Sequence, residues 1–379
     1  MTTDESNAAP QGKPKGRLVQ FLDAMTQIRA SDLHIKANLR PHFRTARALV
    51  PAKGKALTAE EVESLAQEML SSDQRLVLAG QGSVDLAYEN PGADRFRINM
   101  YRQRGLMSIA VRRVTREIPN FKSLNLPPEL AKICEAETGL VLVSGPTGCG
   151  KSTTIASMLD YINQRRQCHI LTIEDPIEYV FEDKKAVISQ REVGIDVPDY
   201  HTAQRDLMRQ NPDVILIGEL RDLDSFQAAL HAAETGHLVF GTVHAATAAQ
   251  TIGRVLSLFS GENRVLIRSA LSQNLHAVIC QKLLTSLSRE FRVVPAVEIM
   301  LDHAVVRKYI QEGRENELTE AVRTLEREGM RSFSTSLLEM IDADLVAPDE
   351  AYLVAPNPEE LRMMVRGISN RSNGGLASR

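Results

Sequence analysis

Apolar residues near the start of the chain recur with a helical period. Leu18, Phe21, Leu22, Met25 and Ile28 fall three and four residues apart within residues 17–29, which predicts an amphipathic helix that ends at Ser31 and Asp32. LHIK follows, then an irregular stretch and a second helix near Ala59 to Leu70. The alternating segments VDLAYE and RFRINMY predict strands, so the first domain reads as α+β and ends near Val114. Residues 116–128 carry three prolines and little periodicity, the pattern of a connector rather than a core.

From Leu140 the pattern changes. LVLVS, HILTIED, DVILIGE and HLVFGTVH are buried-type apolar runs separated by longer helical patterns, which predicts a parallel sheet covered by helices. Beyond about Val265 the periodicity reads as mainly helical, through LIRSALSQNLHAVICQKLL, the stretch from Arg307 to Glu317, and FSTSLLEMIDADL. The expected domains are a disordered tail at 1–16, an N-terminal domain at 17–115, a linker at 116–128, an α/β core with C-terminal helices at 129–365, and a disordered tail at 366–379.

Composition narrows the functional classes. At 379 residues, 43% hydrophobic and 25% charged, the chain is long enough for two cores and ordinary for a soluble protein. No apolar run approaches the length of a membrane span, and the N-terminus lacks the apolar stretch of a secretory signal, so a cytoplasmic location is expected. The net charge of −3 and the absence of tryptophan argue against a nucleic-acid partner. Cys134, Cys149, Cys168 and Cys280 are too widely spaced for a metal motif and read as buried or incidental thiols.

The chemistry begins at Gly145, Pro146, Thr147, Gly148, Cys149, Gly150, Lys151 and Ser152, a GxxxxGKS sequence between an apolar strand and a helix-forming run. Its glycines let backbone N–H groups wrap the phosphates of ATP, and the helix N-terminus adds partial positive charge. Lys151 would neutralise the β and γ phosphates, Ser152 would give a hydroxyl to Mg2+, and Thr153 is a second phosphate contact.

Phosphoryl transfer to water also needs an oriented nucleophile and countercharge, which carboxylates at strand C-termini can supply. Glu219 follows the apolar run 214–217, where it would meet a magnesium-bound water; an ion pair to Arg221 is the structural alternative. Glu174, beyond another apolar strand, is the candidate general base. His244 ends HLVFGTVH, in the place of a group that touches the γ phosphate, whereas His237 begins that run and reads as structural. Arg95, Arg97, Arg102, Arg104, Arg112 and Arg113 crowd one stretch, as a solvated face, a nucleic-acid patch or phosphate-directed arginines.

These blocks, in this order, resemble the secretion ATPase superfamily: a Walker A motif, the acidic box TIEDPIE, the atypical Walker B motif GELRD and a histidine box. ASDLHI, FRINMYRQRG, QREVGID and AETGHLVFGTVHA extend the resemblance, which runs from about residue 17 to 365. Neither the extra N-terminal domain nor the four-cysteine metal subdomain found among assembly and type II secretion ATPases is expected from this sequence. It looks like the shorter type IV pilus retraction ATPases of the PilT and PilU kind. RQRG, QREVGID and LTEAV lean towards PilU, and the family's C-terminal AIRNLIRE motif appears as AVVRKYIQE at 304–312.

The resemblance implies a PAS-like N-terminal domain joined to a RecA-like P-loop core, six copies in a ring, with ATP hydrolysed between subunits. It implies that Arg97 and Arg112 reach the γ phosphate; Arg113 is the alternative to Arg112, because neighbouring strand residues face opposite ways. The implied partners are a pilus platform protein of the inner membrane, met peripherally, and a paralogous retraction ATPase. The competing readings are an assembly or secretion ATPase of the same superfamily and a nucleotide-binding regulator of a paralogous motor.

Overall fold

The computed structural model describes residues 16–45, 48–89 and 94–367. The two expected tails lie outside these residues, apart from Gly16 and residues 366–367. The chain forms two compact units, divided between Arg116 and Glu117.

The first unit contains, in order, α1 (Arg17–Gln27), β1 (Asp32–Lys36), β2 (His42–Thr45), β3 (Ala48–Pro51), α2 (Ala59–Gln67), α3 (Ser72–Gln81), β4 (Ser83–Glu89), β5 (Arg95–Gln103) and β6 (Leu106–Val114). Its six strands form one antiparallel sheet in the order β3-β2-β1-β6-β5-β4. Leu18, Leu22 and Met25 of α1 are fully buried in one core with Leu33 and Ile35 of β1 and Met100 of β5. Ile28, expected on that apolar face, lies just past the end of α1 and is exposed. Capping boxes set the starts of α2 and α3: Thr58 and Glu61 exchange hydrogen bonds, as do Ser71 and Gln74.

The second unit begins with α4 (Glu129–Cys134), β7 (Gly139–Ser144), α5 (Lys151–Asn163), β8 (His169–Glu174), β9 (Val187–Glu192), α6 (Tyr200–Leu207) and β10 (Val214–Ile217). It continues with α7 (Leu223–Glu234), β11 (Leu238–Val243), α8 (Ala248–Ser257), α9 (Gly261–Asn274), β12 (Leu275–Thr285) and β13 (Val293–Leu301). Helices α10 (Ala304–Glu312), α11 (Leu318–Thr324), α12 (Phe333–Asp342), α13 (Pro348–Val354) and α14 (Pro358–Val365) complete it.

Its seven strands run in the order β13-β12-β7-β11-β10-β8-β9, parallel throughout except for the antiparallel pair β12 and β13. All of Leu140–Val143, Val214–Ile217 and Leu238–Val243 are buried, because helices cover both faces of a parallel sheet. Two hydrophobic clusters, one on each face, hold these layers together.

Two expectations need correction. LIRSALSQNLHAVICQKLL does not continue as helix: α9 stops at Asn274 and Leu275–Thr285 is a strand paired with both β7 and β13. A continuous apolar run satisfies a buried strand as well as a buried helix, and only the neighbouring strands decide between them. Residues 116–128 are also not merely a connector. Leu126 is buried, and Phe121 and Leu124 pack partly buried against the second unit's core, where Phe121 stacks on Tyr161 with ring centroids 5.4 Å apart.

Leu126→Ala should therefore lower the stability of the second unit by about 2–3 kcal/mol. Chemical denaturation followed by circular dichroism measures this; an unchanged midpoint and slope would remove the segment from the core.

Candidate nucleotide site

Parallel pairing brings the predicted motifs to one sheet edge. Ser144 pairs with Val243, Ile217 with both Ile173 and Gly241, so Gly145, Glu174, Glu219 and His244 all leave their strands at the same C-terminal edge. There Glu174, Glu219 and His244 line a cavity of about 510 Å3 with Thr147, Gly148, Gly150, Lys151, Ser152 and Thr153 of the glycine loop and the helix after it. His237 is at the opposite end of β11, where its ring contacts the Ala232 carbonyl and the Thr235 hydroxyl.

The glycine loop is shaped by close packing. Gly145 has φ +148°, and a Cβ there would sit 2.5 Å from both the Gln281 carbonyl oxygen and the Cys149 sulfur. Gln281 also donates to the Cys149 carbonyl at 3.3 Å, so β12 forms the floor under the loop. α5 starts at Lys151 after Gly150, with no side chain capping its N-terminus. Its first N–H groups are thus available to an anion, unlike those of α7, which Asp222 and Ser225 cap. Lys151 is buried and its Nζ donates to the Gly145 carbonyl at 2.9 Å and the Pro146 carbonyl at 3.2 Å, which holds the ammonium within the loop.

The two carboxylates have different surroundings. Glu174 accepts hydrogen bonds from Thr172 at 2.8 Å and Gln190 at 3.2 Å. Desolvation by the enclosing protein outweighs those bonds and raises its carboxyl to about 7. Glu219 is held below the usual carboxylate range, chiefly by its hydrogen bond with Arg221 at 2.6 Å. Its other oxygen lies 3.2 Å from Nε2 of His244. The predicted ion pair to Arg221 is present, and the same carboxylate also reaches His244.

Residues in and behind the cavity wall had drawn no role from the sequence. Gln190 bridges Glu174 and the Tyr179 carbonyl at 2.8 Å, and the Tyr179 hydroxyl lies 2.9 Å from that of Thr153. Gln190 stands in QREVGID, a segment quoted for its resemblance alone, and its strand β9 pairs in parallel with β8. The donors suited to a metal are the Ser152 hydroxyl and the Glu219 carboxylate. Among the described residues no group of three or more His, Cys, Asp or Glu forms a metal cage. Two hard oxygen donors fit Mg2+, which takes most of its ligands from phosphate and water.

The arginines lie in the first unit. Arg97 is directly opposite Arg112 in the β5–β6 register, so the two share a face. Arg112 is 68% exposed and bonds to Asp32 at 2.9 Å. Arg113 takes the other face, tied to the Ala30 carbonyl at 2.9 Å and to Asp94 at 2.8 Å. Cys134, Cys149 and Cys280 are buried and Cys168 partly so, all of them free thiols.

The profile of a family described as type II/IV secretion system protein matches residues 13–339. The chain belongs to this family. The type IV pilus retraction ATPase PilT of Pseudomonas aeruginosa is 38% identical over 87% of this chain and 95% of its own length. The type IV pilus ATPase PilU of the same organism is 31% identical over 95% of this chain and 94% of its own. The crystal structure of the pilus retraction motor PilT with bound ADP superposes with a TM-score of 0.84 at 39% identity, covering 93% of this chain and all of that one. The second unit is thus the RecA-like nucleotide-binding core of a secretion ATPase.

Gly145→Ala should weaken nucleotide binding about tenfold or more, since about 1–3 kcal/mol of overpacking strain corresponds to one or two powers of ten in affinity. Titration with a fluorescent ADP analogue reads the change, and an affinity equal to that of the unmodified chain would exclude the close approach of β12 as a determinant of the loop.

Proposed function

We propose that this chain is the ATP-hydrolysing motor of type IV pilus retraction, working as a homo-hexamer. The observation that carries the reading is the convergence of Lys151, Glu174, Glu219 and His244 on one phosphate-binding cavity. The high identity to PilT along nearly its whole length supports the direction of travel.

ATP enters with its phosphates against the loop 145–152 and the N-terminus of α5, and Lys151 moves from the loop carbonyls to the β and γ phosphates. Ser152 would hold Mg2+, with Glu219 behind a metal-bound water; the metal when bound adds countercharge to the phosphates. Glu174 takes or orients a proton of the attacking water. A carboxyl raised to about 7 is well matched to that task near neutral pH, since it ionises there yet keeps appreciable basicity. His244, already paired with Glu219, contacts the γ phosphate and registers its loss.

Arg97 and Arg112 supply the remaining positive charge across a subunit interface. Their shared face and the exposure of Arg112 support this choice over Arg113, whose guanidinium is spent on Ala30 and Asp94. Among the described residues no helix is long and apolar enough to cross a membrane, so contact with a pilus platform protein would be peripheral.

Steady-state hydrolysis by the purified chain, with assembly read by light scattering in the same samples, tests the proposal. A Mg2+-dependent ATPase of six-chain mass, lost in Lys151→Ala and Glu219→Gln, is expected; binding without hydrolysis would overturn it. Arg112→Ala should lower turnover by about a thousandfold, while Arg113→Ala should act through the stability of the first unit, and the reverse pattern would exchange their roles. Turnover should also rise with pH through about 7 as the Glu174 carboxyl loses its proton. Glu174→Gln should flatten that rise and cost about a hundredfold or more in rate with nucleotide affinity retained; a rise that persists in the variant would assign the titration to another group.

A further inference from the structure

Beneath the nucleotide cavity the buried polar groups of the second unit form a connected chain. Glu298 on β13 is 4% exposed, and one of its oxygens accepts the Ala248 N–H at 2.6 Å. The Phe333 N–H also bonds to this side chain. Ala248 and Phe333 are the first residues of α8 and α12. One carboxylate therefore serves the N-termini of two helices, where the partial positive charge of aligned peptides concentrates. Lys282 on the adjacent strand adds a further positive charge, and its Nζ donates to the Val354 carbonyl at the end of α13 at 2.7 Å.

The helix held in this way follows directly from the His244 loop. His244 leaves β11, and only residues 245–247 separate it from Ala248. A second tie fixes the same turn: the Thr251 hydroxyl, fully buried, donates to the Thr247 carbonyl at 2.8 Å and lies 2.8 Å from the Ser144 hydroxyl. Ser144 is the last residue of β7, next to Gly145, and its hydroxyl also lies 2.8 Å from the Cys280 sulfur. The start of α8 is thus bound on one side to the root of the phosphate loop and on the other to the C-terminal helices.

We propose that Glu298 is a positioning residue for hydrolysis. It fixes α8, and through it His244, against the nucleotide cavity, and it joins that helix to α12. Packing alone does not call for a carboxyl group at this place, because burying a polar group is costly and an apolar side chain would fill the space. Desolvation outweighs the two helix N-termini and the half-buried lysine and raises the Glu298 carboxyl to about 7, yet its oxygens can accept the two N–H groups with or without the charge, and so hold the two helices. A shift of α8 on loss of the γ phosphate would then be passed to α12 and α13 through the same carboxylate.

This inference rests on the hydrolysis reading, and its test separates the two. In the full-length chain, Glu298→Gln and Thr251→Val should each lower kcat, by about tenfold, with KM for ATP and assembly unchanged, and Thr251→Ser should restore kcat because it keeps the hydroxyl. Hydrogen exchange measured with ADP present should show faster exchange at residues 244–251 in Glu298→Gln and Thr251→Val, and not in Thr251→Ser. If the unmodified chain fails to hydrolyse ATP, the functional reading falls while the exchange pattern still decides this one. Unchanged exchange at 244–251, or variants that only lose thermal stability and keep kcat, would overturn the positioning role; Thr251→Val carries the decision if Glu298→Gln does not fold.

Discussion

The site rests on the parallel pairing of β7, β11, β10 and β8. In a parallel ladder every strand presents its C-terminus at the same edge, so groups that follow four separate strands arrive together without any contact of their own. Register sharpens this: Ser144 is level with Val243 and Ile217 with Ile173, which places the glycine loop, His244, Glu219 and Glu174 within one cavity. The apolar character of these strands is the condition for the arrangement. A strand buried on both faces holds its register firmly, and the polar residues just beyond inherit that rigidity.

Within the cavity, two residues of the same type differ in acidity because their surroundings differ. Glu219 has a guanidinium on one oxygen and an imidazole on the other, and stays ionised. Glu174 has uncharged donors, among them the Thr172 hydroxyl and the Gln190 amide, in a desolvated corner, and is pushed up to about 7. The two carboxyl groups are thus driven apart in acidity within one cavity, the pattern on which the proposed division between proton transfer and countercharge rests. Gln190 contributes by holding Glu174 and the Tyr179 carbonyl at once, which keeps the carboxyl directed into the cavity.

Where the sequence misled, the reason is physical. HAVICQKLL is apolar for long enough to satisfy either a buried helix or a buried strand, and the presence of β7 and β13 on its two sides determined the outcome. Prolines in 116–128 signalled irregular backbone, correctly, but irregular backbone can still bury side chains, as Leu126 does. Two adjacent arginines could not be separated by spacing. The β5–β6 register separated them, by setting Arg112 opposite Arg97 and turning Arg113 towards Asp94.

Sequence alone marked out the glycine loop, the acids and histidine at strand ends, a two-part organisation and the family resemblance. These are features of local pattern: a glycine spacing, an apolar run and the residue that follows it. Tertiary structure decided which distant residues meet. It alone placed Gln281 beneath Gly145, Gln190 against Glu174, and Glu298 at the heads of α8 and α12. These contacts join residues far apart in the chain, and nothing in the composition of either segment announces its partner, because hydrogen bonds between buried groups are fixed by packing in three dimensions.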